Sequence, residues 1–305
     1  MTSFKLHIMR FAQRIWKNEW LRAFVLALGV LLVLHLFVIR FVSVQSTSMF
    51  STLRPGDLLL VQRWPKWTGL DRDDVVVFRD PLKDRTAMSR RPLLVKRVAA
   101  VPGDELEIRL GQLYVNGLRQ ANPEGMTHSY LLRVKAGTSV GALMAKLGLP
   151  AELAHGDGAN IELPLNPALA KKAEADPSVE SVTTMRLATG ARRHLFPFSP
   201  RYPWNGDDYG PITVPGKGDT LHITVDNLPL YDRLMSVYEG HRIAASGNEL
   251  TLDEEPLKEY LVEQDYYFVL GDSRHFSADS RYWGFLPDDH VVGRGSTVLL
   301  SKGDN

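Results

Sequence analysis

The stretch LLVKRVAAVPGDELEIRLGQLYVNG, residues 93–117, gives the strongest indication of the fold. Its branched and aromatic residues form short runs, and Pro-Gly, Gly and Asn-Gly turns separate the runs. Such turns between strand-like runs are typical of β-hairpins. The segment therefore predicts three antiparallel strands, over Leu93–Val101, Glu105–Leu110 and Gln112–Val115.

Runs of the same kind lie on both sides of this segment. They predict strands over Asp57–Gln62, Asp74–Phe78 and Tyr266–Leu270. No long helical pattern connects them, as parallel crossovers would require. The sequence therefore predicts a mainly β domain, either a barrel or a sandwich.

The middle of the chain has a different pattern. Thr138–Leu147 and Pro167–Ala175 read as short helices, the second with Asn166 as N-cap and proline in the first helical position, and Val179–Met185 reads as a strand. A run rich in proline and glycine follows at 197–218. We therefore expect a small α+β insertion over 125–200, inside a β domain formed by 42–124 and 201–305.

The N-terminal part contains the one long apolar run. Seventeen residues without a formal charge, Ala23 to Ile39, lie between Arg22 and Arg40. At about 1.5 Å per residue they cover roughly 25 Å, and snorkelling arginines can extend this across a bilayer core. This predicts one transmembrane anchor over 21–41. The alternative is a cleaved signal peptide, for which Ser46 and Ser48 have the spacing of a cleavage site.

The charges before this run predict its orientation. Basic residues outnumber the single acidic Glu19; they are Lys5, Arg10, Arg14, Lys17 and Arg22. By the positive-inside rule, residues 1–20 form a cytoplasmic tail and everything after about Phe41 is extracytoplasmic.

Composition excludes several classes of protein and site. The 305 residues carry a net charge of +1, which argues against a nucleic-acid partner. Cysteine is absent, which excludes disulfides, thiolate zinc sites and cysteine nucleophiles. The sequence has no HExxH and no GxSxG motif, and the glycine-rich segment at 210–219 lacks the spacing of a P-loop. We therefore expect no metal and no other cofactor.

Three separated stretches carry residues suited to serine chemistry. They are QSTSMFSTL at 45–53, VKRVAAVPGD at 95–104 and GDSRHFSADSRYWG at 271–284. In this order and after an apolar anchor, they resemble the bacterial type I signal peptidases, the membrane-bound serine proteases that remove signal peptides from exported preproteins. The third stretch is the most specific, and the resemblance is thin across the insertion.

The resemblance implies a role for each matching residue. Ser48 matches the nucleophile and Lys96 the general base. Ser46 matches a serine that helps to form the oxyanion hole, and Ser277 matches one that hydrogen-bonds and orients the lysine amine. Structural support is implied for four further residues, Asp272, Arg274, Asp279 and Arg281, and the substrate cleft is expected beside Gln45 and Val95.

This chain departs from the family pattern in the loops around these residues. Gln45 stands in place of a usual proline, and Phe50-Ser51 in place of the usual pair after methionine. Ala100 replaces a common glycine, and Ser273, His275 and Phe276 stand where Asn, Asp and Asn are frequent. None of these changes removes an atom that would transfer a proton.

The residues around Lys96 are consistent with a base. A free lysine, with a pKa of about 10.4, is almost entirely charged near neutrality, so it must be desolvated to accept a proton. Lys96 lies in LLVKRVAAV, a run apolar enough for a buried strand, and alternation turns it to the opposite side from Val95 and Arg97. An edge-strand lysine that prevents aggregation is the alternative.

The resemblance also implies location and partners: a signal-peptidase-like β catalytic domain on the periplasmic side of the bacterial inner membrane, single-pass, acting on preprotein signal peptides near the secretion translocon. Lipid contact is expected for the anchor, and Trp64 and Trp67 either contact the bilayer or pack beneath a loop. The alternatives are a non-catalytic membrane-tethered binding or assembly module, a pilus or conjugation processing peptidase, and a self-cleaving repressor.

Overall fold

The computed structural model describes residues 18–33, 38–188, 190–191, 194–247 and 249–301. Short strands dominate these residues. The strands are β1 Ile39–Ser43, β2 Leu58–Gln62, β3 Val75–Arg79, β4 Leu93–Ala100, β5 Glu105–Arg109, β6 Gln112–Val115, β7 Leu118–Arg119, β8 His128–Val134, β9 His155–Asp157, β10 Asn160–Leu165, β11 Val179–Thr184, β12 Tyr209–Thr213, β13 Thr220–His222, β14 Ile243–Ser246, β15 Glu249–Leu252, β16 Glu255–Pro256, β17 Glu259–Leu261, β18 Tyr266–Leu270, β19 Leu286–Pro287 and β20 Val291–Leu300.

The α-helices among the described residues are few and mostly short. They are α1 Glu19–Val33, α2 Pro65–Thr68, α3 Val140–Leu147, α4 Pro167–Glu174, α5 Leu228–Arg233 and α6 Ser280–Trp283. The prediction of a mainly β protein is confirmed, and the strands and helices predicted between residues 57 and 185 agree with the observed ones to within two residues at each end.

A seven-stranded antiparallel sheet forms the framework, with the strand order β1-β2-β20-β3-β4-β18-β19. Strand β4 lies between β3 and β18, with Val76 opposite Lys96 and Val269 opposite Val98. A central strand of this kind is covered by neighbours on both edges. Lys96 is therefore not the edge-strand lysine that was the alternative at the sequence level.

The two predicted hairpins are present in a smaller sheet, ordered β12-β5-β6-β7. Leu110 and Asn116 have φ of 49° and 52°, and each is followed by a glycine with positive φ. Two consecutive residues with positive φ are typical of type I′ turns, which match the twist of the flanking strands. The Asn-Gly and Leu-Gly pairs thus fix the register of β5, β6 and β7.

A third sheet, ordered β11-β8-β10-β9, falls within the segment predicted as an insertion. Helices α3 and α4 pack on it, and Asn166 caps α4 as predicted, with its side-chain oxygen accepting from the Leu169 N–H at 2.8 Å. The hydrophobic core of this unit includes Phe50, which comes from the turn after β1. One residue of the candidate nucleophile loop therefore belongs to the core of the insertion sheet.

The segment after residue 197 differs from the prediction. The proline- and glycine-rich run contains β12, and the chain from 220 to 261 forms five short strands that were not predicted. These strands are only two to four residues long, which is too short for an alternating pattern to stand out from the surrounding sequence.

Helix α1 covers the start of the predicted anchor and has 15 residues. Within the described residues, no helix combines the length and the apolar character needed to cross a membrane. Residues 34–37 of the predicted anchor, and the predicted basic tail up to residue 17, lie outside the described residues. The last residues of the predicted anchor overlap a strand, since Ile39–Ser43 pair with β2.

Candidate active site

Ser48 lies in a tight turn that follows β1. The Phe50 N–H donates to the Thr47 carbonyl at 2.9 Å and closes the turn. Met49 and Phe50 are each 1% exposed, and they pack into two different hydrophobic cores, one beneath the large sheet and one in the insertion. The turn is thus held from two sides, and it presents Ser48 with its side chain buried.

Lys96 reaches Ser48 from the middle of β4. Its side chain is buried, and Nζ donates to Ser48 Oγ at 2.5 Å and to the Val95 carbonyl at 3.1 Å. When the amine is neutral, the same pair can reverse, with the serine hydroxyl as donor and Nζ as acceptor. The two residues predicted as nucleophile and base are therefore in hydrogen-bond contact, although 48 positions separate them in the sequence.

Burial changes the acidity of the Lys96 amine. Desolvation lowers its pKa to about 8, and the positive charge of Arg281 acts in the same direction. The carboxylates of Asp279 and Asp272 oppose this shift. At slightly alkaline pH a large fraction of the amine is therefore uncharged, which is the state that can accept a proton.

Ser46 lies beside the nucleophile, with its hydroxyl oxygen 3.1 Å from Ser48 Oγ. Unlike Ser48 and Lys96, it is exposed. This places a hydroxyl on the solvent side of Ser48, the side from which a substrate carbonyl would arrive.

Ser277 lies close to the pair, but its hydroxyl does not make the predicted hydrogen bond. Its hydroxyl is buried and has no hydrogen-bond partner among the described residues, so the predicted bond to Lys96 is not present in this conformation. A Cβ added to Gly271 would collide with the Ser277 hydroxyl and would come within 2.6 Å of the Ser48 carbonyl. Gly271 therefore allows Ser277 and the nucleophile turn to approach each other closely.

Asp279 and Arg281 form a buried ion pair behind this site. Arg281 donates from Nε and Nη2 to the two carboxylate oxygens at 2.9 and 2.8 Å, and both residues are at most 2% exposed. The Gly271 N–H adds a hydrogen bond to the same carboxylate at 3.0 Å. Although burial alone raises the pKa of Asp279, the Arg281 charge keeps it below its usual value.

Asp272 forms a second buried junction. It accepts two hydrogen bonds from Arg97, at 2.9 and 2.6 Å, and a third from the Thr52 hydroxyl at 2.6 Å. The loop after β18, strand β4 and the nucleophile turn are thus joined at one carboxylate. Alternation places Arg97 on the opposite side of β4 from Lys96, and there its side chain is only 16% exposed because it pairs with Asp272.

The remaining predicted residues lie in different surroundings. Arg274 is buried, but its side chain makes no hydrogen bond or ion pair with a described residue, so it does not support the site in the way that Arg281 does. Gln45 is exposed and donates to Ser43 Oγ at 3.3 Å. Val95 is buried in the core beneath the nucleophile turn, so only its backbone is available beside the pair.

Sequence reasoning missed three residues that hold the turn. Thr52 and Thr127 each connect two of the stretches by hydrogen bonds, and Gly271 allows two stretches to approach closely. The Thr127 hydroxyl donates to the Phe50 carbonyl at 3.3 Å, and the Thr127 N–H donates to the Asp272 carbonyl at 2.9 Å. Thr127 lies just before β8, outside all three motifs, and nothing in the sequence marks it. Thr52 and Gly271 lie inside the motifs, so their position in the sequence could have marked them as residues near the site.

One family of known proteins matches more than half of this chain. The family model described as signal peptidase, peptidase S26, matches residues 17–141 and 213–300, which include Ser48, Lys96 and the stretch 271–284. The unmatched segment between them contains most of the insertion sheet.

Individual relatives match over shorter segments. The chain is 46% identical over 43 residues to a signal peptidase I of Haemophilus influenzae and 40% identical over 42 residues to one of Buchnera aphidicola; each match covers 14% of this chain, and they cover 12% and 14% of those proteins. It is 33% identical over 106 residues to a signal peptidase IB of Staphylococcus aureus, which covers 34% of this chain and 51% of that protein. The chain thus matches about half the length of these relatives or less. Because the family model matches more than half of the chain, this protein belongs to the signal peptidase family, peptidase S26.

Proposed function

We propose that this protein is a membrane-anchored serine endopeptidase that cleaves signal peptides from exported preproteins. Family membership supports signal-peptide cleavage. Beyond what family membership supports, we propose the Ser48/Lys96 dyad, the membrane anchor and the location of the protein. The observation that carries the proposal is the 2.5 Å contact between the buried Lys96 amine and Ser48 Oγ.

In the proposed reaction, the neutral Lys96 amine accepts the Ser48 proton while Ser48 Oγ attacks the scissile carbonyl carbon. The Ser46 hydroxyl and the Ser48 N–H stabilise the negative oxygen of the tetrahedral intermediate. The Lys96 ammonium then gives its proton to the leaving amine nitrogen as the C–N bond breaks. Water then attacks the acyl ester as Lys96 takes one of its protons, and this proton passes to Ser48 Oγ as the ester C–O bond breaks, which releases the acid product and frees Ser48.

The surrounding contacts supply what a lysine base needs. Burial supplies the lowered pKa of Lys96, and the ion pairs of Asp279 and Asp272 hold the loop that covers it. For Ser277 we propose a hydrogen bond to Lys96 that forms during the reaction, because its buried hydroxyl has no other described partner. We propose that the substrate binds as an extended strand beside Gln45 and the Val95 backbone, with small side chains before the cleaved bond.

The location is proposed from the N-terminal region. Helix α1 exposes large apolar side chains, such as Phe24 at 63% and Leu31 at 64%, as expected for a helix surrounded by lipid. Ser48 follows Ile39 by nine residues, which reach at most about 30 Å when extended. A signal peptide in the same inner membrane would present its cleavage site at this height, on the periplasmic side and close to the secretion translocon.

Cleavage of a preprotein by the full chain in detergent tests the proposal. Mass spectrometry of the products should find a single cut after a small residue at the signal junction. Ser48→Ala and Lys96→Ala should each abolish the cut, whereas the matched surface variants Ser246→Ala and Lys217→Ala should retain it. Equal processing by all variants, or none by the wild type, would overturn the proposal, and the second outcome would favour a non-catalytic module.

A further inference from the structure

A cavity of about 220 Å³ lies on the far side of the loop after β18, between that loop and the insertion sheet. It is separate from the Ser48 and Lys96 side chains, neither of which lines it. Its walls combine the side chains of Leu187, Leu195 and Met185 with those of Arg274 and Glu162. The cavity thus has an apolar side and a charged side.

Arg274 is the unusual group in this wall. It is 6% exposed, its Nε has no hydrogen-bond partner, and its side chain pairs with none of the described residues. Two hydrogen bonds fix the backbone at this residue. The Arg274 N–H donates to the Thr127 carbonyl at 3.0 Å, and the Arg274 carbonyl accepts from Arg281 at 2.5 Å. Burial lowers the pKa of Arg274 to about 10, so the side chain is still a cation at neutral pH.

Three other polar or charged side chains of the wall, those of Arg281, His275 and Glu162, already have partners. Arg281 pairs with Asp279, and His275 pairs with Asp207 at 3.0 Å. Glu162 accepts a hydrogen bond from the Ser129 hydroxyl. Among the described wall residues, Arg274 is therefore the buried cation without an ion-pair partner.

We propose that this cavity binds a carboxylate with a short apolar chain, and that Arg274 is its counter-ion. One buried guanidinium without a paired carboxylate suits a monoanion, and a planar carboxylate matches the fork of a guanidinium. The leucine and methionine side chains suit a few methylene or methyl groups. The carboxylate belongs either to a small free acid or to an acidic side chain of a polypeptide.

Thermal unfolding of the full chain in detergent tests this proposal, with sodium butyrate as the first probe. At a pH where butyrate is ionised, its effect is compared with that of sodium chloride at equal ionic strength. A capped peptide with one glutamate, compared with its glutamine counterpart, is the second probe. Ligands that bind only the folded state raise the melting temperature in a saturable way.

Two variants remove the site in different ways. Arg274→Met deletes the charge, and Leu187→Trp fills the cavity without changing any charge. Arg133→Met is the matched control, because the Arg133 side chain is 67% exposed on β8. If Arg274→Met fails to fold, Leu187→Trp still carries the test.

The expected result is a saturable rise in melting temperature for the wild type and for Arg133→Met, and none for the other two variants. A response to butyrate alone assigns the site to a free acid, and a response to the glutamate peptide alone assigns it to an acidic side chain. The proposal would be overturned if neither probe raised the melting temperature of the wild type. It would also be overturned if Arg274→Met and Leu187→Trp responded as strongly as the wild type. The melting temperature does not depend on peptidase activity. A negative result would therefore refute the carboxylate site without affecting the proposed function.

Discussion

Two buried cations on opposite sides of one loop show how differently a protein can use the same desolvation. Lys96 and Arg274 are 2% and 6% exposed, and burial lowers the pKa of both, to about 8 and about 10. Lys96 touches a hydroxyl and a carbonyl, whereas Arg274 Nε touches no partner among the described residues. The lysine can therefore give up its charge near neutral pH, and the arginine keeps its charge without a counter-ion.

Arg281 is a third buried cation, and unlike Lys96 and Arg274 it pairs with a carboxylate. It has the same burial, but Asp279 binds it with two hydrogen bonds, and its pKa is raised despite desolvation. Burial alone therefore does not decide what a cation does. The side chain's own basicity and its partners decide whether it becomes a base, a ligand site or a structural pair.

Replacing Lys96 by arginine should have the largest effect. Lys96→Arg keeps a long cationic side chain but cannot lose its proton, so cleavage should fall by about 10³-fold or more. Initial rates of preprotein cleavage provide the measurement. Substantial activity in Lys96→Arg would mean that a positive charge, and not a neutral amine, is what the site requires.

Asp279→Asn should convert Arg281 into a second unpaired buried cation. Breaking a buried pair by removing one partner costs about 3–5 kcal/mol of unfolding free energy. The matched control is Asp226→Asn, which breaks the exposed pair with Arg201 and should cost about 1 kcal/mol or less. Denaturant titration of both variants measures the difference, and equal losses would show that the Asp279 pair is not buried in solution.

Gly271→Ala should separate Ser48 from Lys96 without changing either residue. The added methyl group meets the Ser277 hydroxyl and the Ser48 carbonyl, so the nucleophile turn must shift. A displacement of about 1 Å can lower kcat by about 10²-fold. Gly141→Ala is the control, since nothing lies within 4 Å of its added Cβ. An unchanged kcat in Gly271→Ala would contradict the close packing between Gly271 and the nucleophile turn.

Arg274→Met should have the smallest effect and the opposite sign. Without a ligand, removal of a buried donor that has no partner should raise the unfolding free energy by about 1 kcal/mol. Arg281→Met, which leaves Asp279 unpaired, should lower it. Denaturation of both variants in the absence of carboxylates checks this, and a loss of stability in Arg274→Met would show that Arg274 has a partner in solution.

Much of the framework could be predicted from the sequence. Alternation and Asn-Gly turns located β5 and β6, and the apolar run around Lys96 indicated a buried strand, because these signals are local. The contact between Ser48 and Lys96 required the family resemblance, since no local pattern brings together residues this far apart in the chain.

Other features depend on how separate elements pack, and the sequence carries no signal for them. The ion pair of Arg97 requires Asp272 from another loop, and Phe50 enters the insertion core only because that sheet lies beside the nucleophile turn. Ser277 and Arg274 stand in one motif with Arg281, yet their side chains lack the partners that Arg281 has. A motif identifies residues, but the packing around each one decides its contacts.

Titration of the Lys96 amine tests the central claim most directly. In protein labelled with ¹³C at the lysine Cε, the signal that is missing from Lys96→Arg belongs to Lys96, and its shift is followed against pH in detergent. We expect a midpoint of about 8, and cleavage activity should rise through the same pH range, because only the deprotonated amine can take the Ser48 proton. A midpoint near the ordinary lysine value of 10.5 would contradict the account.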